Sequence, residues 1–218
     1  MGEGWNAHIE RERARYEDGL RRLPDDLDAR QRQLTRVGNA AYGAGLANLM
    51  LGQRDEARAW LDRASDAYRA SYDHATPGSW GRLVAILKAP LLTANWAGAD
   101  ENAAEVLDER PAEAESPIAR YAAALALLAL GLDEEARPVA NSLRERNDFP
   151  PDVADALAAI AAQDRAGYMP AIGSVLESFE QRDEYLEDVP VADTVIVLQV
   201  LAAEHGLATD LSSPLLPS

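Results

Sequence analysis

Apolar residues recur at three- and four-residue intervals along nearly the whole chain, and the breaks between them fall on glycine, proline and aspartate. Ile9, Tyr16, Leu20 and Leu23 lie on one helical stripe, which Pro24 ends. Asp25, Asp26 and Asp28 follow, where carboxylates suit the positive end of a second helix running from about Leu27 to Leu51. Its later half, Ala40 to Ala47, is built of small residues. Gly43 and Gly45 each cost about 1 kcal/mol relative to Ala, so close approach by a neighbouring helix must offset them. Gly52 marks a tight turn. Asp55-Glu56 then open a third helix, with Ala57, Leu61, Ala64 and Tyr68 along one face as far as Tyr72. His74-Ala75-Thr76-Pro77-Gly78 reads as a loop, and Ser79 as the N-cap of a helix starting at Trp80. That helix meets Pro90, which predicts a kink or break at about 3 kcal/mol if unrelieved.

The second half repeats this grammar. Asn95-Trp96-Ala97-Gly98 opens a short helix to about Leu107, so that Trp80 and Trp96 begin and end one helical segment. An acidic loop spans Arg110 to Pro117. Ile118 to Leu130 is apolar nearly all round, which predicts a central helix. Gly131-Leu132-Asp133-Glu134-Glu135-Ala136-Arg137 echoes residues 52–58. Val153 to Ala162, a helix around Ile172 to Phe179, and a last helix from about Val191 to His205 complete the chain. The β-branched run at Val195-Ile196-Val197 could suggest a strand. Its length, the Asp193-Thr194 cap region and Gly206 at the far end favour a buried helix.

The turn markers Gly52, Gly98, Gly131 and Asp164 are spaced by 46, 33 and 33 residues. Five positions beyond each glycine stand Ala57, Ala103 and Ala136, and nine beyond stand Leu61, Leu107 and Ala140. A period near 33 predicts stacked helix–turn–helix units, the small residue sitting where paired helices cross. Gly45, Gly52, Ala57, Leu61 and Ala64 resemble the tetratricopeptide repeat consensus, with Ala41 and Asn48 in place of its tryptophan and central tyrosine. The resemblance covers one good repeat and two degenerate ones, and it implies a non-catalytic scaffold that binds protein segments. Over residues 40–218 the order of features is also similar to the immunity protein 49 family. These are the Gly78-Ser79-Trp80 and Asn95-Trp96-Ala97-Gly98 turns, a helix with Tyr121, the Gln163-Asp164-Arg165 turn, and a tail with Gly206-Leu207 and Ser213-Pro214-Leu215-Leu216-Pro217. That resemblance implies an all-helical bacterial protein neutralising a toxin made by the same cell or its kin.

Charge changes the picture next. Net charge is −16, and Lys88 is the sole lysine among 21 basic residues. Clustered cations are what phosphate binding needs, so nucleic acid is not the expected partner. Two readings of the acid stay open. One is salt adaptation of the whole surface, as in salt-accumulating archaea, since the Debye length falls to about 3 Å in molar salt. The other is a face shaped for a basic partner. No apolar run reaches about 18 residues and no signal core opens the chain, so neither a membrane span nor a membrane partner is expected. The absence of cysteine removes disulfides and thiolate chemistry, and fits a cytoplasmic setting.

Candidate chemistry is sparse. His8, His74 and His205 lie in different regions without metal-ligand spacing, and no cofactor is expected. Ser79 lacks a nucleophile elbow, and Gly43-Ala44-Gly45 lacks the lysine of a phosphate loop. The expectation is therefore one all-α domain of about nine or ten helices, an irregular tetratricopeptide-like α-solenoid closed by an apolar C-terminal helix. Within it, residues 1–24 form an N-terminal helix, 25–164 repeat-like pairs and 165–218 the closing helices. The expected function is non-enzymatic binding of another protein through the groove of that array. An enzyme or small-ligand protein with a pocket between helices is the alternative. Aromatic and arginine anchors dominate protein-binding hot spots, so Tyr72, His74, Trp80 and Arg82 are the candidate partner-binding residues.

Overall fold

The computed structural model describes residues 2–217, and among these it is all-helical. The helices are α1 (Gly2–Arg21), α2 (Leu27–Met50), α3 (Arg54–Tyr72), α4 (Trp80–Leu91), α5 (Trp96–Asp108), α6 (Pro117–Ala129), α7 (Asp133–Arg144), α8 (Pro151–Ala162), α9 (Arg165–Glu180) and α10 (Asp193–Ala203), with short 3-10 turns at Pro111–Glu113 and Leu186–Asp188. None is long and apolar enough to cross a membrane.

Local chemistry sets the boundaries. Asp26, Asn95, Ser116 and Asp164 each accept a hydrogen bond from the backbone N–H three residues on, at the starts of α2, α5, α6 and α9. Gly52 and Gly131 take positive φ, as the turns before α3 and α7 require. Ser79 occupies the N-cap position of α4, but its hydroxyl donates to Thr76 O instead (2.7 Å). Trp80 and Trp96 turn out each to open a helix, α4 and α5.

Consecutive helices from α1 to α9 pack on one another, and α4 also touches α6, as α6 does α8. This divides the chain into two kinds of helix. α6 is buried without interruption from Tyr121 to Ala129, and α8 nearly so from Val153 to Ala161. α7 buries only Ala136, Ala140 and Leu143, and α5 only Ala99, Asn102, Ala103 and Val106, leaving an outer face in water. Ala57, Ala103 and Ala136 are all fully buried. Gly98, however, is not a turn: it lies inside α5, the positive-φ residue before that helix is Ala94, and Ala99, also fully buried, is the residue in register with Ala57 and Ala136. Gly45 lies where α2 crosses α3, and a Cβ there would come within 2.7 Å of Leu61 Cγ and 3.3 Å of Ala57 O. That close approach offsets the glycine's poor helix propensity.

Pro90 does not break α4. It sits one residue from the end, so the only backbone bond it forfeits is the one to Ile86 O. Asn102 of α5 donates to that carbonyl from Nδ2 (2.8 Å), which supplies the missing partner.

α10 is shorter than the sequence suggests, because Val191 and Ala192 remain outside the helix. It packs against α4, α8 and α9, with Val195, Val197, Leu198 and Ala202 fully buried. Where the expected groove would run along α4 and α8, the chain's own C-terminal helix is packed. The segment leading to it is tied to the N-terminal pair: Glu187 receives hydrogen bonds from Arg11 and Asn39 and pairs with Arg15. Ala192 N donates to Leu215 O, which folds the tail back beside the start of α10.

Candidate functional site

Three places concentrate polar or aromatic chemistry. The first lies inside the molecule. Lys88 of α4 donates from Nζ to Asp193 Oδ2 (2.6 Å) and Thr194 Oγ1 (3.0 Å), and Tyr42 of α2 donates to the same carboxylate oxygen (2.9 Å). Both members of the ion pair are mostly enclosed, at 11% and 16% side-chain exposure. Burial alone would raise the Asp193 carboxyl. The Lys88 charge outweighs it, with hydrogen bonds from Lys88, Tyr42 and the Thr194 N–H, and holds the group below its ordinary value. Burial and the Asp193 charge push the Tyr42 hydroxyl well up, so it stays a neutral donor. Tyr121 of α6 lies beside Thr194, and burial and the Asp193 charge push its hydroxyl up. The sequence offered one signal for this centre, a lone lysine, and sequence reasoning passed over it.

The second place holds the predicted partner-binding residues, and the structure separates them. Tyr72 and Trp80 line one hollow of about 310 Å³, closed by Ala75, Thr76, Pro77, Gly78 and Glu109. Tyr72 Oη donates to Glu109 Oε2 (2.9 Å). Burial, then that hydrogen bond and the charge of Glu109, push the Tyr72 hydroxyl up to about 12. His74 is exposed in the adjoining loop. Arg82 faces the seam of α2 and α3. Its Nε donates to Ser71 Oγ (2.8 Å) and Thr35 Oγ1 (3.1 Å), and its Nη2 donates to Gln31 Oε1. No carboxylate pairs with it among the described residues, and burial lowers its pKa. Three helices thus use Arg82 as a cross-link.

The hollow opens beside an acidic edge. Residues 95–115, covering α5 and the 3-10 turn after it, hold seven carboxylates against Arg110 alone. Asp100, Glu101, Asp108, Glu109, Glu113 and Glu115 are exposed. By contrast, residues 1–36 hold eight carboxylates and eight arginines, so the whole net charge of −16 belongs to residues 37–218.

The third place is a groove of about 630 Å³ between α7 and α9, floored by Ala158, Ala159 and Ala162 of α8. Its polar rim is largely spent internally. Arg144 Nε donates to Asp155 Oδ1 (2.7 Å), and Arg137 Nη2 donates to Ala161 O (3.3 Å).

The histidines stay apart. His8 lies against Trp5, His74 is in the loop, and His205 Nε2 stands 3.3 Å from Asp133 Oδ1. Among the described residues no group of three His, Asp or Glu side chains is placed to hold a metal ion. Comparisons with protein families, with curated proteins and with solved structures find no match.

Proposed function

We propose that this chain is a non-enzymatic, tetratricopeptide-like helical-repeat protein that binds a basic protein surface through its outer face. The observation that carries this reading is the uneven distribution of acid. Residues 1–36 are neutral, while residues 95–115 present exposed carboxylates in a row along α5 and the turn after it. Such an edge steers and orients a partner of opposite charge, with effects mainly on association rate and specificity. With α10 packed on α4, α8 and α9, the exposed side of α5 is left free. The immunity-type version of the proposal has an acidic cytoplasmic protein occluding a basic toxin, and the resemblance over residues 40–218 is what favours it. Nucleic acid has no part in it, since the same edge repels phosphate.

The test is capture of partners from the source cells on the tagged chain, in parallel with a variant carrying Asp100→Asn, Glu101→Gln, Asp108→Asn and Glu113→Gln. One stoichiometric basic protein kept by the parent and lost by the variant supports the proposal. A partner held equally by both, or none at all, overturns it.

The remaining acid we read as adaptation to salt. On that reading helix content falls in dilute buffer and is restored by potassium chloride, because screening relieves self-repulsion. Circular dichroism that stays fully helical in dilute buffer rejects it.

A further inference from the structure

We infer that the Tyr72–Trp80–Glu109 hollow is the receptor for one arginine side chain of the basic partner. This rests on the protein-binding reading above and names the contact at its centre. The hollow combines the two things a guanidinium seeks. Tyr72 and Trp80 supply aromatic surface, which attracts a cation through the ring quadrupole. Glu109 supplies a carboxylate at the wall, and only its Oε2 is engaged, by Tyr72. Its Oε1 is open to a second donor. A planar guanidinium stacks on an aromatic ring and can reach a carboxylate in the same plane, whereas an ammonium is a more strongly hydrated point charge. Charge complementarity selects the occupant: Glu109 caps α5 within the acidic edge, between Asp108 and Arg110, whose guanidinium pairs with Glu113, and the hollow contains no cation of its own. The internal use of Arg82 leaves the hollow without an arginine from this chain.

The experiment uses the full chain labelled with 5-fluorotryptophan. Fluorine resonances of the four tryptophans are followed, with Trp80 assigned by Trp80→Phe. The probes are the blocked tripeptide Gly-Arg-Gly, its neutral citrulline counterpart and free arginine. The arginine peptide should shift the Trp80 resonance saturably. The citrulline peptide should bind about tenfold more weakly, having lost both the cation–π and the charge contact. Free arginine should bind no more tightly, since its α-ammonium and α-carboxylate cancel and leave it the same net charge as the blocked peptide. Glu109→Gln should weaken the arginine peptide by about three- to fivefold, while Asp100→Asn, an equal change of charge further along α5, should leave it nearly unchanged. Equal losses in the two variants, or equal binding of arginine and citrulline peptides, would overturn the hollow as receptor. The acidic-edge reading would survive equal losses. Tighter binding of free arginine than of the blocked peptide would overturn the protein-segment assignment. An arginine peptide that leaves Trp80 unmoved, set beside a partner that still needs the α5 carboxylates, separates failure of this inference from failure of the proposed function.

Discussion

The inner and outer sides of the α4–α5 region treat charge in opposite ways. Inside, Lys88 is enclosed with one matched carboxylate, Asp193, which α10 brings from 105 residues away. Outside, α5 leaves Asp100, Glu101 and Asp108 in water while Glu105 pairs with Arg69, and Glu109 shares a hollow with two aromatic rings and no cation. A buried charge must find an opponent or its desolvation cost stays uncompensated, so it can be met in few geometries. The Lys88–Asp193 pair thereby fixes where α10 lies on α4. An exposed charge has no such obligation and remains available to a partner. Arg82, on the same helix as Lys88, shows a third solution. It crosses three helices using only neutral oxygens of Gln31, Thr35 and Ser71.

The sharpest way to break this contrast is Lys88→Met. It leaves the Asp193 carboxylate buried without its cation, and stability should fall by about 3–5 kcal/mol. The double variant Lys88→Met with Asp193→Leu should recover only part of that loss: an apolar pair needs no compensation, but the Tyr42 hydroxyl loses its acceptor. Urea unfolding of parent, single and double variants measures the cycle. A double variant no more stable than the single would show that the pair is not self-contained. The pH dependence follows from the lowered Asp193 pKa. The folded state then binds its proton less readily than the unfolded chain, so this contribution is present above the unfolded value. It is lost as pH falls from near 3.8 through the lower folded value. The double variant should lack this acid limb.

Arg82→Met comes next in size. It removes a cross-link but orphans no carboxylate, so the expected cost is about 1–3 kcal/mol, clearly less than for Lys88→Met. Equal losses from the two would erase the distinction between them. Asn102→Ala should cost a similar amount, since it strands the Ile86 carbonyl freed by Pro90. Here the background decides. With Pro90→Ala the helix regains an N–H for Ile86 O, so Asn102→Ala should be milder there. Additive losses would show that Asn102 acts through Arg69, which donates to its Oδ1, rather than through the proline.

These residues also mark what could be seen from sequence. Helix order was legible because caps and glycine turns are local. Asp26 and Gly52 act on residues within a few positions of themselves. The buried alanines Ala57 and Ala136 were legible because each stands five residues past its turn glycine, whereas the turn before α5 falls on Ala94 rather than Gly98, so the residue in that register is Ala99 and not Ala103. The fate of Pro90 was not, because its remedy comes from the next helix. Nor was the course of α10. Its β-branched apolar run announces burial without saying against which face, and the Lys88–Asp193 contact is set by packing alone. The grouping of Tyr72 with Trp80 came from the loop that joins them. Arg82 is only two residues past Trp80, yet helical rotation turns it to the α2–α3 seam.

The smallest effect tests the hollow directly. Glu109→Gln removes a charge that keeps the Tyr72 hydroxyl protonated. Burial is the larger cause of that shift and the hydrogen bond to Glu109 the next, so Tyr72 should titrate below about 12 in the variant while staying above its ordinary value of 10.0. Phenolate absorbance after rapid pH jumps, read before alkaline unfolding, resolves this, with Tyr72→Phe assigning the transition among the seven tyrosines. The urea midpoint at neutral pH should not move, as both side chains lie at the surface edge of the fold. An unchanged Tyr72 titration would detach the carboxylate from the ring and leave the hollow an aromatic cleft without a charge. A shifted one, with stability intact, makes Glu109 the group that faces the hollow in the folded protein and whose charge a visiting cation would meet.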